Sequence, residues 1–356
     1  MWKKVIKKIC ILLCTAYIMV VAVAVVGYFV NNDTKSYTRV LMHELYEQEE
    51  IDSIFIGASH VYRGVNPWIV DEIWGENTFN LSTSSQTIDG SYALLKEANK
   101  IGGIKCCYLE VSARMVCYNK ETRQSDVTAS YIISDYMRLS LNKVLYILNA
   151  MEPKNYINAF CPARRNWRKI YSFGFMRDTF QNKSEKGYKE YDYVENETEY
   201  YAGKGFVYSR DVVTYTGTEE PIDITENYIS DDYLFYFAKI VKYCRENDIE
   251  LVCFSMPMTQ RLIGQLGNYD SYLKQVRDLC ERYEVLYYDF NCANQALLDL
   301  QDSDFKDANH LNGKGAEKFS RVFADFFAGK IDERELFYSS YAEKKLDSKG
   351  IFGCQE

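Results

Sequence analysis

The chain has 356 residues, 47% of them apolar, and its 42 Lys and Arg against 50 Asp and Glu give a formal net charge of −8. That length suits one large domain or two small ones. The acidic balance excludes the strongly basic footprint of a nucleic-acid-binding protein, so no nucleic-acid partner is expected.

At the N-terminus, Lys3, Lys4, Lys7 and Lys8 precede an uncharged run from Ile9 to Val30. As a helix this run reaches roughly 33 Å at about 1.5 Å per residue. A bilayer hydrocarbon core is about 30 Å thick. The lysines on the near side predict a single-pass plasma-membrane protein with residue 1 in the cytoplasm and the bulk of the chain outside. Ala22-Val23-Ala24 would suit cleavage of a signal peptide, but the apolar run exceeds the ~7–15 residues of a signal core. Residues 1–32 are therefore read as an uncleaved anchor, and 33–50 as a polar, Glu-rich stalk with a helix near Thr38–Gln48.

Beyond the stalk, apolar runs and amphipathic stretches alternate. Strands are predicted at Ile51–Gly57, Thr78–Leu81, Ile104–Val111, Ile249–Ser255 and Val285–Asp289. Helices are predicted from Asn66-Pro67 to Trp74, at Thr87–Lys100, within 120–150, from the Ser230 cap to about Asn247, at Tyr269–Tyr283 and at Gly313–Ala328. The last clusters Phe319, Val322, Phe323, Phe326 and Phe327. Such alternation predicts an α/β domain over 51–330: three layers, with helices on both faces of a central, mostly parallel sheet. Residues 152–225 are aromatic and charged without a clean period, which marks an insertion or lid, and 331–356 read as a polar tail. The 31 tyrosines more often fill half-buried positions than line a carbohydrate site. Arg164-Arg165-Asn166-Trp167-Arg168-Lys169 is the one dense basic cluster. It reads either as a solvated helix face or as a contact for anionic lipid headgroups or a phosphate-bearing polymer.

Of 11 cysteines, Cys106, Cys107 and Cys253 fall in apolar runs and are expected to pack as small hydrophobes. No Cys or Cys/His spacing suits zinc. Neither a metal, a cofactor nor a disulfide framework is expected.

Only three histidines occur, His43, His60 and His310. Ser59 follows the first strand in Gly57-Ala58-Ser59-His60, and His310 closes Asp307-Ala308-Asn309-His310 before the last helix. A serine hydroxyl needs an imidazole to take its proton, and a carboxylate to hold that imidazole in the right tautomer. In an open α/β sheet, both segments would lie beyond the carboxyl ends of the strands, where ligands bind. A plainer reading makes Ser59 a helix cap and Asp307 a turn cap.

Phe55-Ile56-Gly57-Ala58-Ser59-His60 resembles the first block of the SGNH/GDSL hydrolase superfamily, with Ala58 in place of the usual Asp. Asp307-x-x-His310, followed by Leu311-Asn312-Gly313, resembles the last block. The resemblance covers roughly 51–111 and 249–328 and implies an SGNH/flavodoxin-like fold. By position it implies Ser59 as nucleophile, His310 as general base and then acid, and Asp307 as its partner. Asn80-Leu81-Ser82 stands where the family's second block supplies an oxyanion N–H. After the third strand, Glu110-Val111-Ser112-Ala113-Arg114 lacks the family's third-block Asn, leaving Ser112 or Arg114 as substitute donors. His60 is read as a substrate-facing or packing residue. With its anchor, the chain is similar to DltD-like teichoic-acid D-alanylation proteins and surface-polysaccharide O-acetylation proteins. This implies a serine esterase or O-acyltransferase acting on a cell-envelope glycan or acylated polymer, with a membrane acyl-donor protein as a further partner. The alternative is a catalytically inactive glycan-binding or scaffold component of an envelope complex.

Overall fold

A computed structural model describes residues 2–117, 127–192, 197–214, 224 and 228–352, with side chains to 347. Five short strands form one parallel sheet: β1 (Ser53–Ile56), β2 (Thr78–Asn80), β3 (Cys106–Glu110), β6 (Glu250–Ser255) and β7 (Leu286–Asp289), in the order β2-β1-β3-β6-β7. This is the flavodoxin-like doubly wound order, in which the sequence of strand addition reverses between β1 and β3 while all strands stay parallel.

The interiors of the strands are mostly apolar because both faces are covered. Along β1, Ile54 and Ile56 enter one core while Phe55 enters the other. Residues Cys107 and Leu109 of β3, with Leu251 and Cys253 of β6, join the first core; Cys106, Tyr108, Val252 and Phe254 join the second. All three predicted cysteines are buried. Helices Ile88–Ala98, Asp231–Glu246 and Tyr269–Arg282 contribute to the first core. The second core is organised by Gly313–Phe327, whose Phe323 ring lies 5.4–5.7 Å from Phe55, Tyr108, Phe254 and Phe290. Truncating so buried a ring to Ala costs about 3–5 kcal/mol.

Three predicted regions differ from their sequence reading. The helix expected in the stalk forms as Tyr37–Glu47, but Leu41, Met42 and Leu45 are buried in the first core, so this segment belongs to the domain. The region without a clean period contains helices Pro153–Phe160, Pro162–Asn166 and Phe173–Ser184, and a hairpin of β4 (Glu199–Gly203) and β5 (Phe206–Ser209). Its helices are short and mostly exposed, which is why no apolar stripe is legible in them. Residues 193–196, 215–223 and 225–227 of this region lie outside the described residues, as do 118–126 of the stretch read as helical over 120–150. Beyond Ile331, helices Glu333–Leu336 and Tyr341–Phe352 follow. Leu336, Tyr341 and Lys344 are buried, and Lys344 Nζ donates to the Asn291 carbonyl at 2.9 Å.

Helix α1 (Trp2–Val30) is 29 residues long and apolar enough to cross a membrane.

Candidate active site

Strand β1 ends at Ile56, and at the next residue, Gly57, there is no room for a side chain. A Cβ built there would fall 2.4 Å from Val61 Cγ2 and 2.5 Å from Glu110 Oε2. Ala58 then caps helix α3 (Ser59–Gly64) with its backbone in the extended region, making no side-chain cap bond. Ser59 opens this helix instead of capping it, so its hydroxyl is left for other partners.

From the other end of the chain, a loop delivers the histidine. An antiparallel bridge between Phe305 and Leu311 closes this loop, and the Ala308 carbonyl accepts from Thr259 N–H at 3.1 Å and Thr259 Oγ1 at 2.8 Å. Asn312 then caps the following helix, accepting from the N–H groups of Lys314 and Gly315, both at 3.1 Å.

The loop places His310 Nε2 2.7 Å from Ser59 Oγ. His310 Nδ1 lies 2.8 and 2.9 Å from the two Asp307 carboxylate oxygens. Asp307 Oδ1 also accepts from the backbone N–H of Asn309 at 3.1 Å and of His310 at 2.9 Å, so the same carboxylate caps the turn and holds the ring. An ionised carboxylate can only accept, so the Nδ1 proton belongs to His310, and the Nε2 lone pair faces the serine hydroxyl. Burial opposes ionisation of Asp307, but the His310 contact and the two N–H bonds outweigh it and hold the carboxyl at about 2. For His310, burial lowers the pKa below the ordinary value, and the neighbouring His60 and Arg63 lower it further against the pull of Asp307. The imidazole is thus neutral at pH 7, as a proton acceptor must be.

These groups line a pocket of about 560 Å³ with His60, Tyr62, Arg63, the Ser84–Thr87 segment, Ser112, Arg114 and Lys306. Two other clefts, of about 520 and 630 Å³, contain no histidine. Ser112 and Arg114 are therefore on the pocket wall, as is His60.

Neither Asn80 nor Ser82 lines this pocket with its side chain; the oxyanion role that the resemblance implies for the Ser82 backbone N–H does not depend on where that side chain lies. Asn80 is fully buried and its Nδ2 donates to the carbonyls of Val61 at 2.8 Å and Val65 at 3.0 Å, tying down the end of α3. Ser82 is buried behind the wall, with Oγ 3.4 Å from the Phe55 carbonyl. The wall at this point is built by the residues just beyond, where Ser85 adopts a left-handed backbone (φ 52°).

Two carboxylates that pack against this site were not legible in the sequence. Glu110, at the end of β3, is fully buried and accepts from Ala58 N–H at 2.8 Å and from His60 Nδ1 at 2.7 Å. It fastens the turn that carries Ser59 and orients the His60 ring, which lies 5.0 Å from that of His310. The available signal was an acidic residue ending an otherwise apolar buried strand, since a buried charge needs partners. The second is Glu199 of the hairpin. It bonds Arg63 Nη2 at 2.6 Å and also pairs with Lys306. Burial works against the Glu199 anion, but these two cations outweigh it and keep the carboxyl below its ordinary pKa. Arg63 Nη1 is buried with no hydrogen-bond partner. Among the described residues, no cluster of His, Cys, Asp and Glu could hold a metal ion.

No protein-family model matches the chain, and no curated protein matches it. Solved structures similar to it include a GDSL-like lipase from Bacteroides thetaiotaomicron, at 8% identity and a TM-score of 0.37, covering 84% of this chain and 100% of the other. A protein from Bacteroides fragilis assigned to the acylhydrolases is also similar, at 8% identity and a TM-score of 0.37, covering 82% of this chain and 95% of the other. At that level of similarity, the two likenesses assign this chain neither a family nor an activity.

Proposed function

We propose that the chain is a membrane-anchored, SGNH-like serine esterase or O-acyltransferase whose pocket works outside the cell on ester-linked acyl groups of envelope glycans or polymers. The observation that carries this reading is the continuous chain of contacts Ser59 Oγ, His310 Nε2, His310 Nδ1 and Asp307, at 2.7 and 2.8 Å. In this reaction Ser59 Oγ attacks an ester carbonyl while His310 Nε2 takes the hydroxyl proton. Asp307 stabilises the imidazolium that forms. The tetrahedral oxyanion collapses, the C–O bond to the alcohol breaks, and His310 returns the proton to the leaving oxygen. Water attacking the acyl-serine gives an esterase; a sugar or polyol hydroxyl gives a transferase.

Removing an oxyanion donor typically costs about 2.7–4 kcal/mol of transition-state stabilisation, so the missing third-block Asn needs a replacement. Arg63 is our choice over Ser112 and Arg114. It lies four residues after Ser59 on the same helix, hence on the same face, and it lines the pocket.

Labelling by a fluorophosphonate probe tests the reading. Wild-type protein should be labelled, and Ser59→Ala and His310→Ala should not. Equal labelling of wild type and Ser59→Ala, with no acyl release from esters or acylated glycans, would instead favour the glycan-binding scaffold.

A further inference from the structure

We infer that the face formed by Arg164–Phe173 lies on the outer surface of the bilayer, its aromatic and aliphatic side chains among the lipid headgroups and its cations paired with anionic ones. This rests on the reading of α1 as a membrane span. If α1 spans, it leaves the hydrocarbon near Val30, and whatever touches its last turns sits at the interface.

The helices of the 152–225 region touch it there. A Cβ built on Gly27 would lie 3.5 Å from Ala163 Cβ. Phe180 stacks on Phe29 at 6.0 Å. Asn166 Nδ2 donates to Asn31 Oδ1 at 2.8 Å, and Lys183 pairs with Asp33 at 2.9 Å.

The segment beside this junction is built like an interfacial surface. Residues 167–174 are exposed without a break. Among them Trp167, Ile170, Tyr171 and Phe173 are 47, 42, 79 and 77% exposed, a cost in water with no return unless something covers them. Arg164, Arg168 and Lys169 lie in the same stretch, a local cationic cluster on a chain of net charge −8. Trp and Tyr with Lys and Arg are the residues enriched where protein meets the headgroup layer. Charge and position thus select a lipid surface over another apolar protein face.

The same docking orients the pocket. Only residues 31–36 separate α1 from the helix Tyr37–Glu47, a reach of at most roughly 25 Å. The Tyr37 ring lies 4.6 Å from that of Tyr62, whose side chain lines the pocket. A short linker and this contact therefore tie the carboxyl edge of the sheet to the outer end of α1, which suits an acyl donor or acceptor held at the membrane.

The test uses the full chain in nanodiscs of phosphatidylcholine with or without phosphatidylglycerol. Emission of Trp167 is isolated as the difference between wild type and Trp167→Phe, and quenching is read with phosphatidylcholine brominated near its carbonyl end. We expect at least twofold quenching of that difference in the anionic discs. Arg164→Glu/Arg168→Glu/Lys169→Glu should reverse it, because each basic residue at an anionic surface is worth a factor of about 5 in docked population. Fluorophosphonate labelling of the triple variant at the wild-type rate would show that it is folded. A chain that enters the discs with Trp167 unquenched overturns the inference and leaves a partner protein or a second copy as the cover. A chain that does not enter the discs overturns the span and the inference together, while labelling of Ser59 still reports separately on the hydrolase reading.

Discussion

Replacing Glu110 separates a positioning carboxylate from one that merely fills space. Glu110 is fully buried and has two donors aimed at it, Ala58 N–H at 2.8 Å and His60 Nδ1–H at 2.7 Å. In Glu110→Leu, close in volume, both donors lose their acceptor. A buried unsatisfied donor costs about 1–3 kcal/mol, so the sum is about 2–6 kcal/mol. In Glu110→Gln the amide oxygen keeps the Ala58 bond, and the amide nitrogen donates to His60 if that ring moves its proton to Nε2. Every partner is then satisfied and only charge assistance is lost, about 1 kcal/mol. Chemical denaturation measures the stabilities. The rate of fluorophosphonate labelling reports where Ser59 stands, because a misplacement near 1 Å costs on the order of 10²-fold. We expect Glu110→Leu to label about 100-fold more slowly and Glu110→Gln within about 10-fold of wild type. Adding His60→Ala to Glu110→Leu removes one orphaned donor and should recover about 1–3 kcal/mol relative to additivity. Equal stabilities and labelling rates for the Leu and Gln variants would refute the reasoning, since packing alone would then explain the residue.

Four further outcomes are expected. Asp307→Asn, which allows the wrong tautomer of His310, should lower kcat/KM for an activated ester by about 10⁴-fold with little change in KM. In a pH–rate profile the acid limb should lie below pH 6.5, because His310 is held below its ordinary pKa; a limb above pH 7 would contradict this. Stability follows the same signs. As the pH falls below about 6.5, the unfolded chain binds a proton that folded His310 resists, and the stability contributed by Asp307 is lost as the pH falls from about 4 towards about 2. Asn80→Ala should cost about 1–3 kcal/mol in denaturation by leaving the Val65 carbonyl without a donor, the Val61 carbonyl keeping the Val65 N–H, and its loss of activity should track the loss of folded protein.

What the sequence determined by itself was local. A strand buried on both faces announces itself as an apolar run, and helix Gly313–Phe327 as an apolar stripe. Asp307 and His310 stand three residues apart, so one turn suffices to join them. Ser59 after a strand, with histidine so scarce, made the pairing with His310 readable across 251 residues. Only the tertiary structure decided which polar groups meet when distant segments pack. Asn80 ends a strand that suits a site, yet packing turns its side chain to the carbonyls of Val61 and Val65. Glu199 reaches Arg63 from a hairpin 136 residues away, and Glu110 lies beneath the serine turn because β1 and β3 pair in register from Ser53 and Cys106. Periodicity records which face of an element is buried; it carries no record of the neighbour across the gap, and a buried charge is stabilised by that neighbour alone.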